Sequence, residues 1–453
     1  MTTTASTAPA GAPDEAARVA TPRAGGARRI ALLGAGYIAD WHARALAMLD
    51  GVELVAVCDT VVGRAEALAA RYGIAGVHAS LGALLERERL DAVHVLLPPD
   101  RHFEAAREIL EAGVDALLEK PMCATAEECE RLIAIAEARG VAVGVAHNFS
   151  FAGPYERLRA DVRAGLLGPL DQVTITWHRE LPQVRHGPFD GWMLRQPENV
   201  MLEIGSHAVA HVLDLVGRPE QLRVRASHPV ELPGGVPFYR RWLVDGEKDR
   251  TGIELRFSFV PGFAEYSVQA RGLLGVAVAD LDRNTYALRR HRPCGEDFDR
   301  YLTVRAECAD LGAQARRTLR RYVMSKLHLE RRGSPYASGI AGAMRAFHLA
   351  PGTGDRRISA RTGADVIRTC ERIGQLAGLP RPVARVVPGP STVAGAGPAA
   401  KVLVLGATGF IGQELARQLA ARGEPVRLLV RSAGKVPPEL RGPGVEIVTG
   451  DLE

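Results

Sequence analysis

Cysteine is scarce: six in 453 residues, at 58, 123, 129, 294, 308 and 370, with no C-x-x-C pair and no His/Cys ligand spacing. That excludes a disulfide scaffold, points to a reducing compartment, and leaves no pattern for a structural zinc site. Charge of one sign is lacking too. A net +5 from 57 Lys+Arg against 52 Asp+Glu is too weak, over this length, to argue for nucleic acid. No apolar run is long enough to span a bilayer, and none near the start forms the h-region of a secretory signal. The expectation is a cytoplasmic protein with no membrane span. Large apolar side chains are almost absent from residues 1–28, which are predicted to be a disordered tail.

What is present reads as several domains, since the length allows two to four. From 29 to 148, short apolar runs (Ile30–Leu33, Leu54–Cys58, Ala92–Leu97, Ala116–Leu118, Ala142–Ala146) alternate with amphipathic stretches such as Ala39–Ala47 and Ala126–Arg139. Strand–helix alternation of this kind predicts βαβ units and a parallel sheet. From 149 to 379 a helix near Tyr155–Gly165 precedes strand-like runs at Val173–His178, Leu222–Ser227, Gly252–Ser258, Glu265–Ala270 and Gly275–Asp280. They predict an α+β domain with a large open, mostly antiparallel sheet, followed by an Arg-rich helical section over Tyr301–Leu329. Residues 380–400 are a Pro/Gly/Ala linker, and 401–453 open a second βαβ pattern.

The strand Ile30–Leu33 runs into Gly34-Ala35-Gly36-Tyr37-Ile38-Ala39 and then a helix. Gly34 permits the tight turn, Gly36 lets backbone approach a pyrophosphate, and Ala39 allows close helix–strand packing. The helix N-terminus offers free N–H groups to phosphates. Asp59, at the end of the next strand, suits ribose hydroxyls and repels a 2′-phosphate, which favours NAD; Arg64 leaves NADP open. The bland alternative is a strand–turn–helix using glycine for positive φ alone.

Further along stand Leu97-Pro98-Pro99-x-x-His102, Glu119-Lys120-Pro121, and Glu203-Ile-Gly-Ser-His207. Lys120 follows a strand, at the end where open α/β sheets bind ligands, and Pro121 disfavours helix there. An ammonium so placed can hydrogen-bond a substrate oxygen and stabilise alkoxide charge; the alternative is a surface Lys paired with Glu119. Glu203 and His207 are i, i+4, so a carboxylate can orient an imidazole that takes a proton. His211 extends this stripe. A helix histidine is more often hydrogen-bonded core than a ligand, and no metal site is assigned.

With these motifs in this order, the segment 29–379 resembles the glucose–fructose oxidoreductase / inositol dehydrogenase (Gfo/Idh/MocA) family. The resemblance implies an NAD(P)-dependent dehydrogenase acting on CH–OH groups of a sugar, polyol or nucleotide-sugar. It implies Lys120, His207 and Glu203 as catalytic residues. Gly34, Gly36, Tyr37, Ile38, Ala39, Asp59, Pro98, His102, Glu119 and Lys120 would lie around the cofactor, with His102 toward the nicotinamide. Three departures stand out. Glu203 replaces the family's usual Asp, Pro197–Met201 replaces a glycine-rich run, and Ser150 occupies a usual Arg position. They keep a second reading open, a non-catalytic NAD(P)-binding sensor or scaffold of the same fold. A homodimer or homotetramer is expected, because an open sheet needs its outer face covered.

Residues 316–332 are strongly basic and partly amphipathic, which suits an acidic lipid surface or a diphosphate; a solvated helix face is the simpler reading. After the linker, Gly406-Ala-Thr-Gly409-Phe-Ile-Gly412 opens a helix, and Arg431 stands where an acid would hold the ribose. This resembles the start of an NAD-dependent epimerase/dehydratase or short-chain dehydrogenase unit, and Arg431 favours NADP. Three strands without a following Tyr/Lys pair predict a truncated unit with no catalysis of its own.

Overall fold

The computed structural model describes residues 26–187, 189, 191–232, 235–327, 334–349, 355–380, 402–430, 433 and 436–450. The expected tail and linker lie outside these residues, apart from 26–28 and 380. Two compact units divide at Pro382/Val383.

The first unit opens with β1 (Arg28–Leu33), α1 (Tyr37–Leu46), β2 (Val52–Cys58), α2 (Val62–Tyr72), β3 (Gly76–His78), α3 (Leu81–Arg87), β4 (Ala92–Val95), α4 (His102–Glu111), β5 (Asp115–Glu119), α5 (Ala126–Arg139) and β6 (Val143–Ala146). All six strands are parallel, in the order β3-β2-β1-β4-β5-β6. Helices cover both faces, so β4 and β5 are buried at every residue and are apolar apart from His94, Asp115 and Glu119. The order reverses between β1 and β4, which opens a crevice at their carboxyl ends.

The same unit continues with α6 (Gly153–Arg163), β7 (Leu170–His178), α7 (Pro182–His186), α8 (Ser206–Leu215), β8 (Glu220–Glu231), β9 (Pro237–Lys248), β10 (Thr251–Ser258), β11 (Glu265–Gly272), β12 (Gly275–Asp280), β13 (Thr285–Arg290), α9 (Glu296–Lys326), α10 (Pro335–His348) and α11 (Ala360–Leu376). Its seven strands run β13-β12-β11-β7-β10-β9-β8. Only the β7/β10 pair is parallel. Alternation sets the faces: Val173, Ile175 and Trp177 of β7 are buried, while Thr174 and Thr176 between them stay partly exposed.

Strands β3, β9 and β13 go beyond the sequence reading. In β9 the buried Phe238, Trp242 and Val244 are interleaved with Arg240, Arg241, Asp245 and Glu247, which masks the period. The 149–379 segment also returns to the first sheet. Ile340, Met344 and Phe347 of α10 share one apolar core with Ile30, Leu32 and Ala39, and α11 packs on α5.

In the second unit β14 (Val402–Leu405), α12 (Phe410–Ala421), β15 (Val426–Val430) and β16 (Val445–Thr449) form a parallel sheet ordered β14-β15-β16. Gly406 has φ +69°, and a Cβ on Gly412 would collide with its carbonyl oxygen, so this turn requires both glycines. Leu403 and Leu405 face outward on β14, while Val404 between them is buried. Arg431 lies outside the described residues.

Gly34 holds the crevice in shape. Its φ is +100°, and a Cβ there would stand 2.6 Å from the Leu96 carbonyl oxygen just past β4. Gly34→Ala therefore adds left-handed strain and a backbone clash. It is expected to destabilise the first unit by about 1–3 kcal/mol in urea unfolding and to weaken NADH binding measured by fluorescence.

Candidate active site

The glycine turn and β5 end in the same crevice. Space above Gly36 is open, the N-terminus of α1 has no side-chain cap, and Tyr37 is exposed beside it, while Ala39 is fully buried against the sheet. Free N–H groups and room for close backbone approach fit a pyrophosphate. Asp59 holds this turn from below. Its Oδ2 accepts from the Ala35 N–H at 2.8 Å and its Oδ1 from the Val61 N–H at 2.8 Å.

Glu119 closes β5 with both oxygens engaged. Oε2 accepts from the Lys120 N–H at 3.1 Å, and Oε1 lies 2.9 Å from His42 Nε2. His42 Nδ1 lies 3.0 Å from His94 Nδ1, and His94 Nε2 lies 2.7 Å from His348 Nε2. One assignment of hydrogens fits these contacts: His348 Nε2 donates to His94 Nε2, His94 Nδ1 to His42 Nδ1 and His42 Nε2 to Glu119, while His348 Nδ1 stays buried without a partner. Burial, neighbouring imidazoles and Arg28 hold His94 well below the usual histidine range, and burial and Arg28 do the same to His348. Neutral His94 and His348 suit these contacts, since each then offers one donor and one acceptor. A histidine inside the apolar strand Ala92–Val95 was the one signal for it in the sequence; His348 lies 254 residues further on.

His102, expected toward the nicotinamide, is fully buried. Its Nδ1 lies 3.0 Å from the Pro121 oxygen and 3.2 Å from that of Met122; its Nε2 lies 2.7 Å from the Leu97 oxygen. Burial lowers its pKa, so the neutral ring donates its one N–H to a carbonyl of one turn, Leu97–Pro98 or Pro121–Met122, while its other nitrogen is enclosed against the facing turn. Pro98 begins the first of these turns, at the carboxyl end of β4.

Lys120 reaches across to the segment before α8. Its Nζ donates to Glu203 Oε1 at 2.6 Å and to the Glu203 backbone oxygen at 3.1 Å. Glu203 sits in a π-helical turn, Met201–Gly205, ahead of α8. The wider turn changes the i, i+4 alignment, and the carboxylate goes to Lys120 and not to His207, contrary to the sequence expectation.

His207, on the first turn of α8, is held by aromatic faces. It stacks on Trp177 with 5.7 Å between centroids and meets the edge of Phe149 at 4.9 Å. Its Nδ1 is buried without a partner. Burial first, then the charge of Lys120, hold its pKa well below the ordinary value, so the ring is neutral near pH 7. His211 is no ligand: its Nε2 lies 2.8 Å from the Tyr266 hydroxyl, and burial pushes its pKa down to about 3. Among the described residues, no three His, Cys, Asp or Glu side chains converge as metal ligands. His147, which sequence reasoning passed over, follows β6 with both ring nitrogens buried and unpartnered, and burial lowers its pKa to about 4.

Residues 28–147 match the family described as "Oxidoreductase family, NAD-binding Rossmann fold" (GFO_IDH_MocA), and residues 406–453 match an "NAD(P)H-binding" family. Residues 28–147 are thus similar to the NAD-binding domain of that family, and residues 406–453 to an NAD(P)H-binding segment. It is 32% identical over 199 residues to the D-glucoside 3-dehydrogenase of Escherichia coli (strain K12), covering 44% of this chain and 56% of that protein's length. It is 29% identical over 260 residues to the rhizopine catabolism protein MocA of Rhizobium meliloti, covering 55% of this chain and 78% of that one. Among solved structures, the WlbA dehydrogenase from Bordetella pertussis, in complex with NADH and UDP-GlcNAcA, superposes with a TM-score of 0.60 at 17% identity, covering 79% of this chain and 97% of that one. That likeness extends the shared fold over both sheets.

His94, His147, His207, His211 and His348 all have folded pKa values below the unfolded value of about 6.5. The unfolded chain then binds more protons, so their contribution is complete above about pH 6.5 and is lost as pH falls toward the folded values. Urea unfolding should show stability falling between pH 7 and pH 4. His147→Phe should flatten that loss by up to about 1.4 kcal/mol per pH unit. A flat wild-type profile over that range would contradict the neutral-imidazole assignment.

Proposed function

We propose that the chain is an NAD(P)-dependent oxidoreductase that moves hydride between the nicotinamide and a secondary alcohol or ketone carbon of a sugar, polyol or nucleotide-sugar. The observation that carries this is the meeting of Lys120, Glu203 and a neutral His207 at the carboxyl end of the first sheet, in the domain that carries the dinucleotide turn. The named relatives, a glucoside dehydrogenase among them, support the substrate class.

Gly34, Gly36 and the start of α1 would hold the pyrophosphate, and Asp59 the ribose, where an acid favours NAD. The bound nicotinamide supplies the hydride acceptor or donor. The protein's own groups handle the oxygen and its proton. His207 Nε2 accepts the hydroxyl proton, since Nδ1 is sealed in the core. Lys120 has three N–H donors, of which two go to Glu203, so the third is available to the substrate oxygen as charge develops. Glu203 acts as a positioning residue for Lys120. In the reductive direction the same groups run in reverse, with His207 as the acid.

For the second unit the reading is an epimerase/dehydratase-type nucleotide loop, supported by Gly406-x-x-Gly409-x-x-Gly412 after a strand.

The test is a panel of sugars, inositols and nucleotide-sugars offered with NAD⁺ or NADP⁺ and followed at the nicotinamide absorbance. At least one member should turn over. Lys120→Met and His207→Ala should each lower kcat by about 100-fold or more while NADH still binds. Cofactor binding with no turnover on any substrate would overturn the assignment and favour a sensor or scaffold.

A further inference from the structure

Helix α9 is the longest element of the described chain, and one side of it is engaged. Glu307 meets Arg289 of β13 at 2.6 Å, and the buried Gln314 accepts from the Tyr286 N–H at 2.8 Å. An adjacent, exposed side carries a second pattern. Tyr301, Val304, Cys308, Ala315, Leu319 and Tyr322 recur at the three- and four-residue steps of a coiled-coil seam. All six are exposed; Val304 and Leu319 are 59% and 62% accessible.

Charge is divided along the same helix. Residues 296–310 hold five acidic and two basic side chains; residues 311–326 hold five basic and none acidic. We propose that this face is the seam of a homodimer, in which α9 pairs antiparallel with α9 of a second copy. A two-fold axis between Leu311 and Gly312 sets Val304 on Leu319, Tyr301 on Tyr322 and Cys308 on Ala315 of the other copy. The same register brings Asp297, whose carboxylate meets Arg300 of its own helix, opposite Lys326 of the other. Acidic halves then face basic halves, and the helix dipoles oppose. A parallel pair would set like charges together. An anionic membrane would satisfy only the basic half and leave the apolar stripe over the acidic half unused. The pairing stands apart from the proposed chemistry, because none of these residues belongs to the active site.

Sedimentation velocity on the whole chain tests it. Val304→Glu with Leu319→Glu should halve the assembly mass while the helical circular-dichroism signal is kept. D297K should weaken association at low salt, and adding K326D should restore it. Within one helix, positions 308 and 315 are about 10 Å apart, too far for a disulfide. In a C294S background, A315C should therefore give a covalent dimer with diamide, and C308S should abolish it. An unchanged mass in the double glutamate variant with no covalent dimer would overturn the proposal. So would wild-type chain that stays monomeric yet binds phosphatidylglycerol vesicles.

Discussion

The contact between Lys120 and Glu203 is the constraint on which the rest of the site depends. It joins the end of β5, in the parallel sheet, to the π-helical turn that launches α8 beneath the other sheet. Both partners are only partly accessible, so removing either leaves a charge poorly solvated. The pair also settles how one cation serves two purposes. Two donors fix the ammonium in place, and in the proposed reaction the third goes to the reacting oxygen. Second to burial, the same positive charge beside His207 helps keep that imidazole neutral.

Around this pair the protein places polar groups in its interior and satisfies most of them. Glu119 is held by His42 and by the backbone of Lys120, and the imidazole series behind it ends at His348, on the helix that returns from the far domain. His102 is packed between two turns whose Leu97, Pro121 and Met122 oxygens face its ring nitrogens. These groups help set where Lys120 and the glycine turn stand. The exceptions include both ring nitrogens of His147 and Nδ1 of His207, His211 and His348, all buried without a partner.

Local pattern made much of this legible. Both glycine turns, the position of Lys120 and most strands are readable because they follow from short-range rules of turn, period and strand end. The parts that were not legible depend on distance along the chain. His348 meets His94 across 254 residues, and no local signal announces such a contact. The partner of Glu203 was misread because i, i+4 spacing assumes a regular α-helix, and Met201–Gly205 is wound wider. His102 occupied a suggestive position, but its burial follows from the Leu97 and Pro121 turns closing over it. In β9, alternating charged residues concealed an inner apolar face.

The account stands on a neutral imidazole held beside a cation, and that can be read without knowing the substrate. Histidine-selective NMR titration of the whole chain, with His207 assigned by substitution, measures it directly. The expected result is a His207 pKa well below about 6.5 that moves upward, but not fully, in Lys120→Met, because burial is the larger cause. A wild-type His207 titrating at or above that value, or one indifferent to the loss of Lys120, would contradict the account.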